Sequence, residues 1–110
     1  MELLFYVMSN VDVLDDLLED FSQEPGFRAT IIDSMGMAHM LNDSGYFFGG
    51  LRDLLNQSQV NSKTIMMVLE KDSVQKAVSI IEKNVGDLTE PDTGVVFTVP
   101  ISYAKGIVKK

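Results

Sequence analysis

The sequence contains the same order of predicted elements twice, and the repeat is interrupted. Residues 3–35 have the pattern strand, helix, strand, and residues 62–100 have that pattern again. Residues 36–61, between the two halves, match neither element. Compact domains seldom contain an irregular connection of that length unless it is functional or disordered. The two halves therefore predict the fold, and the interruption is the first place to look for function.

The first half predicts a buried strand, an amphipathic helix and a second strand. Residues 3–8 are continuously apolar and too few for a stable helix, which favours a central strand covered on both faces. Asn10 or Asp12 can cap the helix that follows, and Pro25-Gly26 ends it. Residues 27–34 are rich in β-branched side chains and predict the second strand. The apolar residues of the helix share one face: Leu14, Leu17, Leu18 and Phe21.

The second half repeats this order with its own start and stop signals. Residues 64–69 predict the third strand, and residues 94–100 predict the last one. Asp72 and Gln75 have the spacing of a capping box, so we expect Asp72 to cap the second helix. Gly86 is well placed to end that helix.

A twofold strand-helix-strand pattern within a single domain, residues 1–110, predicts a ferredoxin-like α+β fold. Right-handed crossovers place both helices on one face of a four-stranded antiparallel sheet. The other face then needs a cover, and a second copy of the chain is the expected one. The strand residues assigned to that uncovered face are Phe5, Val7, Ile65, Met67 and Val96.

Composition excludes several classes of function. A formal net charge of −7 and a pI near 4.4 argue against nucleic acid and anionic membrane surfaces as partners. Without cysteine there is no disulfide framework and no thiolate chemistry. The sequence contains no apolar run of the ~20 residues that a membrane helix needs, and its start does not resemble a signal peptide. We expect a soluble, cytoplasmic protein without membrane insertion.

The last strand resembles that of the P-II nitrogen-regulatory signal proteins. Residues 93–100, Thr-Gly-Val-Val-Phe-Thr-Val-Pro, are similar to that family's Asp-Gly-Lys-Ile-Phe-Val-Leu-Pro segment. Residues 34–38, Ser-Met-Gly-Met-Ala, resemble the Gly-Phe-Gly entry to the family's T-loop, and residues 36–61 occupy the position of that loop. The resemblance implies a homotrimer with effector sites in the clefts between subunits. It also implies signal transduction, through control of a partner protein.

The resemblance also indicates which residues form the effector site and the partner-binding loop. The effector-site candidates are Gly36, Met37, Ala38, His39, Lys63, Thr64, Thr89, Glu90, Asp92, Thr93 and Lys105. The partner-binding candidates are Met40, Tyr46, Phe47, Phe48, Leu51 and Leu54. So many apolar residues are not typical of a disordered linker. The loop either docks on a partner or a ligand, or packs on its own trimer.

Several residues depart from the family in the places where it binds ATP. Glu90 aligns with a basic residue, His39 with an arginine, and Gly106 and Val108 with two further arginines. A triphosphate needs such cationic donors or a metal ion. We therefore expect weak or absent ATP binding, and the sequence identifies no cofactor. The effector stays open, with other nucleotides the first class to test.

No catalytic constellation is present, and the sequence predicts a binding protein rather than an enzyme. An alternative interpretation is a trimeric divalent-metal-binding protein of the ion-tolerance type, which shares this architecture. That interpretation depends on His39, the only histidine, and no metal site is predicted from it.

Overall fold

The computed structural model describes residues 1–8, 10–36 and 62–107. These residues form four strands and two helices in the predicted order. A 3₁₀ turn, Val11–Val13 or Lys71–Ser73, leads into each helix. The elements are β1 (Glu2–Met8), α1 (Leu14–Ser22), β2 (Ala29–Ser34), β3 (Ser62–Leu69), α2 (Val74–Val85) and β4 (Val95–Pro100).

The four strands form one antiparallel sheet in the order β2-β3-β1-β4. This order confirms the predicted ferredoxin-like α+β fold, with β1 between β3 and β4. In the register, Tyr6 lies opposite Ile65 on one side and Val96 on the other. Since residues that face each other across a ladder point to the same side of the sheet, this register also defines the two faces.

The core lies between the helices and one face of the sheet. Along β1 the side chains of Leu4, Tyr6 and Met8 are fully buried, and the residues between them are only partly buried. The apolar stripe predicted for α1 is confirmed, because Leu17 and Phe21 are buried in this core. From α2, Ala77 and Ile81 are buried there. Burial of each large apolar side chain contributes roughly 1.5–3 kcal/mol to folding.

One helix-terminal prediction is confirmed, one holds only for the turn before the helix, and one is wrong. The side chain of Asn10 accepts a hydrogen bond from the backbone N–H of Asp12 at 3.0 Å and so caps the 3₁₀ turn, whereas α1 itself begins after Val13 without a side-chain cap. Gly86 ends α2 with φ +94°, and its N–H donates to the carbonyl of Glu82. Asp72 does not cap α2, because it lies within the 3₁₀ turn and the α-helix begins only at Val74. That turn uses backbone bonds at this end of the helix instead of a side-chain cap.

The faces of three strand residues were predicted wrongly. Ile65 and Met67 lie on the helix-covered face and are fully buried there, and Val96 packs against the same core. Phe5 and Val7 lie on the other face, as predicted. The error arises because these strands are apolar at almost every position, so the sequence carries no alternation that separates their faces.

We call the face away from the helices the open face. It is largely apolar, and its most exposed large apolar side chains are Val95 at 60%, Phe97 at 47% and Ile32 at 41%. Phe5 and Phe97 stack across β1 and β4 with ring centroids 5.0 Å apart. The described residues leave this surface incompletely covered. Its residues are Leu3, Phe5, Val7, Thr30, Ile32, Ser34, Ser62, Thr64, Met66, Val68, Val95, Phe97 and Val99.

Close packing against Tyr6 determines where β4 begins. The Tyr6 hydroxyl donates a hydrogen bond to the backbone carbonyl of Thr93 at 2.5 Å. Gly94 follows with φ +101°, and a Cβ there would lie 2.5 Å from the carbonyl oxygen of Val7 and 2.8 Å from the Tyr6 ring. Real Cβ atoms do not approach backbone oxygens so closely, so the entry into β4 requires glycine.

We expect Gly94→Ala to lower the free energy of unfolding by about 2–5 kcal/mol, because it combines an unfavourable φ with overpacking. The matched control is Gly26→Ala, where φ is also positive but a Cβ would meet nothing within 4 Å. That control should cost only about 1–2 kcal/mol. Urea denaturation of both variants measures the difference, and equal losses would contradict the packing argument.

Candidate functional site

Two segments that the sequence analysis singled out emerge at the same end of the sheet, which we call the loop end. β1 and β2 finish there at Met8 and Ser34, and β3 begins there at Ser62. Since Val95 pairs with Val7, β4 begins at this end as well. The loop end therefore holds both ends of the connection 36–61 and the whole of residues 87–94, which we call the acidic loop.

The acidic loop is held by its own hydrogen bonds. The Asp87 carboxylate accepts from the backbone N–H of Thr89 at 2.9 Å and from the Thr89 hydroxyl at 2.7 Å. These bonds stabilise the charged form and lower the pKa of Asp87. The backbone N–H of Glu90 donates to the carbonyl of Asp87, and that of Leu88 donates to the side chain of Glu82. These hydrogen bonds give the acidic loop a defined conformation without any contribution from another chain.

The predicted ligand-binding residues of this loop divide into two kinds. The hydroxyls of Thr89 and Thr93 already donate within the loop, the second of them to the carbonyl of Glu90 at 2.8 Å. The side chains of Glu90 and Asp92 are exposed, and Asp92 has a left-handed φ of +65°. The loop therefore presents carboxylates to its surroundings while its threonines stabilise its shape.

A cluster of three hydroxyls lies at the base of the connection 36–61. The Ser34 and Ser62 oxygens are 2.7 Å apart, and the Thr64 hydroxyl donates to Ser34 at 2.9 Å. All three lie on the open face, and Ser62 is buried. Sequence reasoning selected Thr64 but missed both serines, because only the pairing of β2 with β3 brings them together.

The structure separates Lys63 from Thr64. Lys63 forms an ion pair with Asp33 on the helix-covered face, whereas Thr64 lies on the open face. One small ligand bound to a single chain does not reach both side chains. Gly36 lies beyond the end of β2, at the loop end.

Lys105 lies apart from the other candidates within one chain. It follows β4, whose last residue Pro100 pairs with Glu2 at the opposite end of the sheet. The backbone N–H of Ile101 continues that pairing and donates to the carbonyl of Met1 at 3.0 Å. A site that combines Lys105 with the loop end therefore needs residues from two chains.

The remaining candidates fall outside the described residues. They are Met37, Ala38, His39, Met40, Tyr46, Phe47, Phe48, Leu51 and Leu54. Within ranges 1–8, 10–36 and 62–107, no three His, Cys, Asp or Glu side chains are grouped so that they could hold a metal ion. In the same ranges, neither helix has the length and apolar character that crossing a membrane requires.

Comparison with known proteins gives no family assignment. No model of a known protein family matches the chain, and no curated protein sequence matches it. The functional argument therefore depends on the residues and geometry described above.

Tyr6 links the acidic loop to the core in a way that depends on pH. Burial raises the pKa of Tyr6 to about 12, because the charged phenolate would lose its hydration. Its ordinary value in an unfolded chain is about 10. The stability that this difference provides is complete below about pH 10 and is lost as the pH rises towards about 12.

We expect the wild-type free energy of unfolding to fall by up to about 2–3 kcal/mol more than that of Tyr6→Phe between about pH 10 and about pH 12. At neutral pH, Tyr6→Phe should itself cost about 1 kcal/mol, because the Thr93 carbonyl loses its donor. The control is Tyr103→Phe, which removes a hydroxyl from a side chain that is 78% exposed. Urea denaturation at several pH values tests this, and parallel pH profiles for wild type and Tyr6→Phe would contradict it.

Proposed function

We propose that this chain is a P-II-like regulatory protein. It forms a homotrimer, binds a small effector in the clefts between subunits, and controls a partner protein through residues 36–61. The proposal is of a binding role rather than an enzymatic one, in the cytoplasm, with a protein rather than a nucleic acid as partner. The resemblance of residues 93–100 and the acidic composition of the chain support it.

The observation that carries the proposal is the position of two different segments at one end of the sheet. The acidic loop is fixed by internal hydrogen bonds and by Tyr6, whereas the connection 36–61 is long and joins β2 to β3 at the same end of the sheet. Suppose that the connection has two conformations and that an effector binds one of them more tightly, because it contacts both segments there. Binding would then increase the population of that conformation. A partner that recognises one state would then sense the effector.

The open face supports an assembly of several copies. Large exposed apolar patches on a protein commonly mark an interface. Val95, Phe97 and Ile32 form such a surface, and no helix of the described chain covers it. Packing of open faces against one another would also bring the tail of one subunit towards a neighbour, which is the arrangement that a site containing Lys105 requires.

The charges at the loop end bear on the chemistry of the effector. Glu90 and Asp92 are exposed there, and the nearby Lys63 is already paired with Asp33. A polyphosphate would meet like charges, which cost binding energy unless a divalent cation lies between them. The effector that fits is a ligand of low negative charge, or one that binds together with a cation.

We expect the wild-type protein to have three times the 12.2 kDa mass of one chain in solution. Val95→Asp should lower that mass to one chain, because a carboxylate cannot be buried unpaired in an apolar interface. The matched control is Val11→Asp, the same change at an exposed valine that lies outside the open face. Light scattering coupled to size-exclusion chromatography measures all three proteins.

Two results would contradict this assembly. One is a wild-type mass of a single chain at concentrations of about 100 μM, far above the Kd expected of a stable oligomer. The other is an equal loss of mass in Val95→Asp and Val11→Asp, which would mean that the open face is not the specific contact.

Glu90→Lys tests the placement of the effector site at the acidic loop. With MgATP at about 1 mM we expect no thermal stabilisation of wild type, and a rise in Tm of about 2 °C or more in the variant. The physical reason is that the new ammonium group replaces a repelling carboxylate with a phosphate donor. The control is Glu19→Lys, which makes the same charge change on the exposed side of α1.

The outcomes of this experiment are distinct. Strong stabilisation of wild type by MgATP would contradict the expected loss of ATP binding. Equal stabilisation of Glu90→Lys and Glu19→Lys would show that only net charge matters, and would remove the acidic loop from the effector site. The same assay with cyclic dinucleotides and with divalent ions then searches for the natural effector class.

A further inference from the structure

The chain beyond β4 lines a cavity at the end of the sheet opposite the loop end. Gly106 and Ile107 lie beside Leu3, Met66 and Val68, which belong to the open face. The space among them has a volume of about 230 Å³. Gly106 has a φ of +93°, a backbone conformation that favours glycine. The apolar walls of the cavity thus come from β1, from β3 and from residues 101–107, which we call the C-terminal segment.

One cation lies at this cavity. Arg28, just before β2, lines it together with Thr30 and Gly26. Among the described residues Arg28 has no carboxylate within ion-pair distance, whereas Lys63, Lys76 and Lys83 each pair with an acidic side chain. In a chain with a net charge of −7, an arginine that lies beside an apolar cavity and has no acidic partner in the described part of the chain provides a place for an external anion.

The apolar lining of the cavity and the positive charge of Arg28 together indicate which class of ligand would bind there. Binding cavities are commonly apolar with a few polar groups that orient the ligand, and drug-sized ligands occupy roughly 300–1,000 Å³. This cavity is smaller, so it fits a compact molecule with one charged group. A guanidinium binds a carboxylate through two parallel hydrogen bonds, and the flexible thioether of Met66 adapts to apolar shapes.

We propose that this cavity binds a small amphiphilic carboxylate, with its apolar part between Met66, Val68 and Ile107 and its carboxylate on Arg28. The ligand would bury Ile107, which is 41% exposed, and would hold the C-terminal segment against the open face. The site lies at the end of the sheet opposite the acidic loop, so it does not rest on the effector site proposed above. It uses the part of the open face beside Gly106 and Ile107, whereas the proposed trimer contact is argued from Val95, Phe97 and Ile32.

The probe is octanoate, titrated into the full-length protein and followed by isothermal calorimetry and by NMR of the methionine methyl groups. We expect saturable binding with a Kd of about 1 mM or tighter, accompanied by a shift of the Met66 methyl signal. Arg28→Gln should weaken binding about tenfold, because it removes a charge-assisted hydrogen bond at an exposed position. Lys83→Gln is the charge-matched control on α2, away from the cavity, and should leave the affinity unchanged.

Octanol and octylammonium separate the contribution of the charge from that of the apolar chain. Both should bind at least about tenfold more weakly than octanoate, since neither forms the ion pair with Arg28. Ile107→Ala should also weaken octanoate binding by removing part of the apolar wall. Absence of octanoate binding at about 10 mM, equal affinity for octanol, or equal affinity in Arg28→Gln would each overturn the proposal.

Discussion

The helices that the structure describes cover only one face of β1, and much of the rest of the structure depends on that constraint. Leu4, Tyr6 and Met8 are fully buried beneath the two helices, while Phe5 and Val7 point to the open face. A four-stranded sheet with two helices has no further element among the described residues to cover the second face. The hydrophobic effect therefore favours contacts beyond the single chain, or the folding back of the C-terminal segment across the sheet.

The same strand links the core to the loop end. Tyr6 is buried in the core, yet its hydroxyl donates to Thr93 at the start of β4, and Gly94 allows the chain to pass against the tyrosine ring. The acidic loop is thus attached to the buried core. In the function proposed above, a loop fixed in this way at the same end of the sheet as the connection 36–61 would let a ligand act on the connection without deforming the loop.

Local signals predicted the elements better than the contacts between them. Gly86 was recognised as the end of α2, and Asn10 as a capping residue, because their effects are confined to neighbouring backbone groups; Asn10 caps the 3₁₀ turn that leads into α1. The faces of Ile65 and Met67 were predicted wrongly, because a continuously apolar strand does not reveal its register.

In the candidate site, too, the local features could be predicted from the sequence and the contacts between distant residues could not. The sequence pointed to the acidic loop, but the bond that anchors this loop joins residues 87 positions apart. The cavity beside Arg28 depends on the return of the C-terminal segment, which no local pattern indicates.

Burial of the open face by other copies is the central claim, and hydroxyl-radical footprinting of Phe97 over a dilution series tests it most directly. We predict slow oxidation of Phe97 in the assembled protein and a clear increase on dilution, as the 47% exposure of a single chain requires. Rapid oxidation of Phe97 at every concentration would contradict the account.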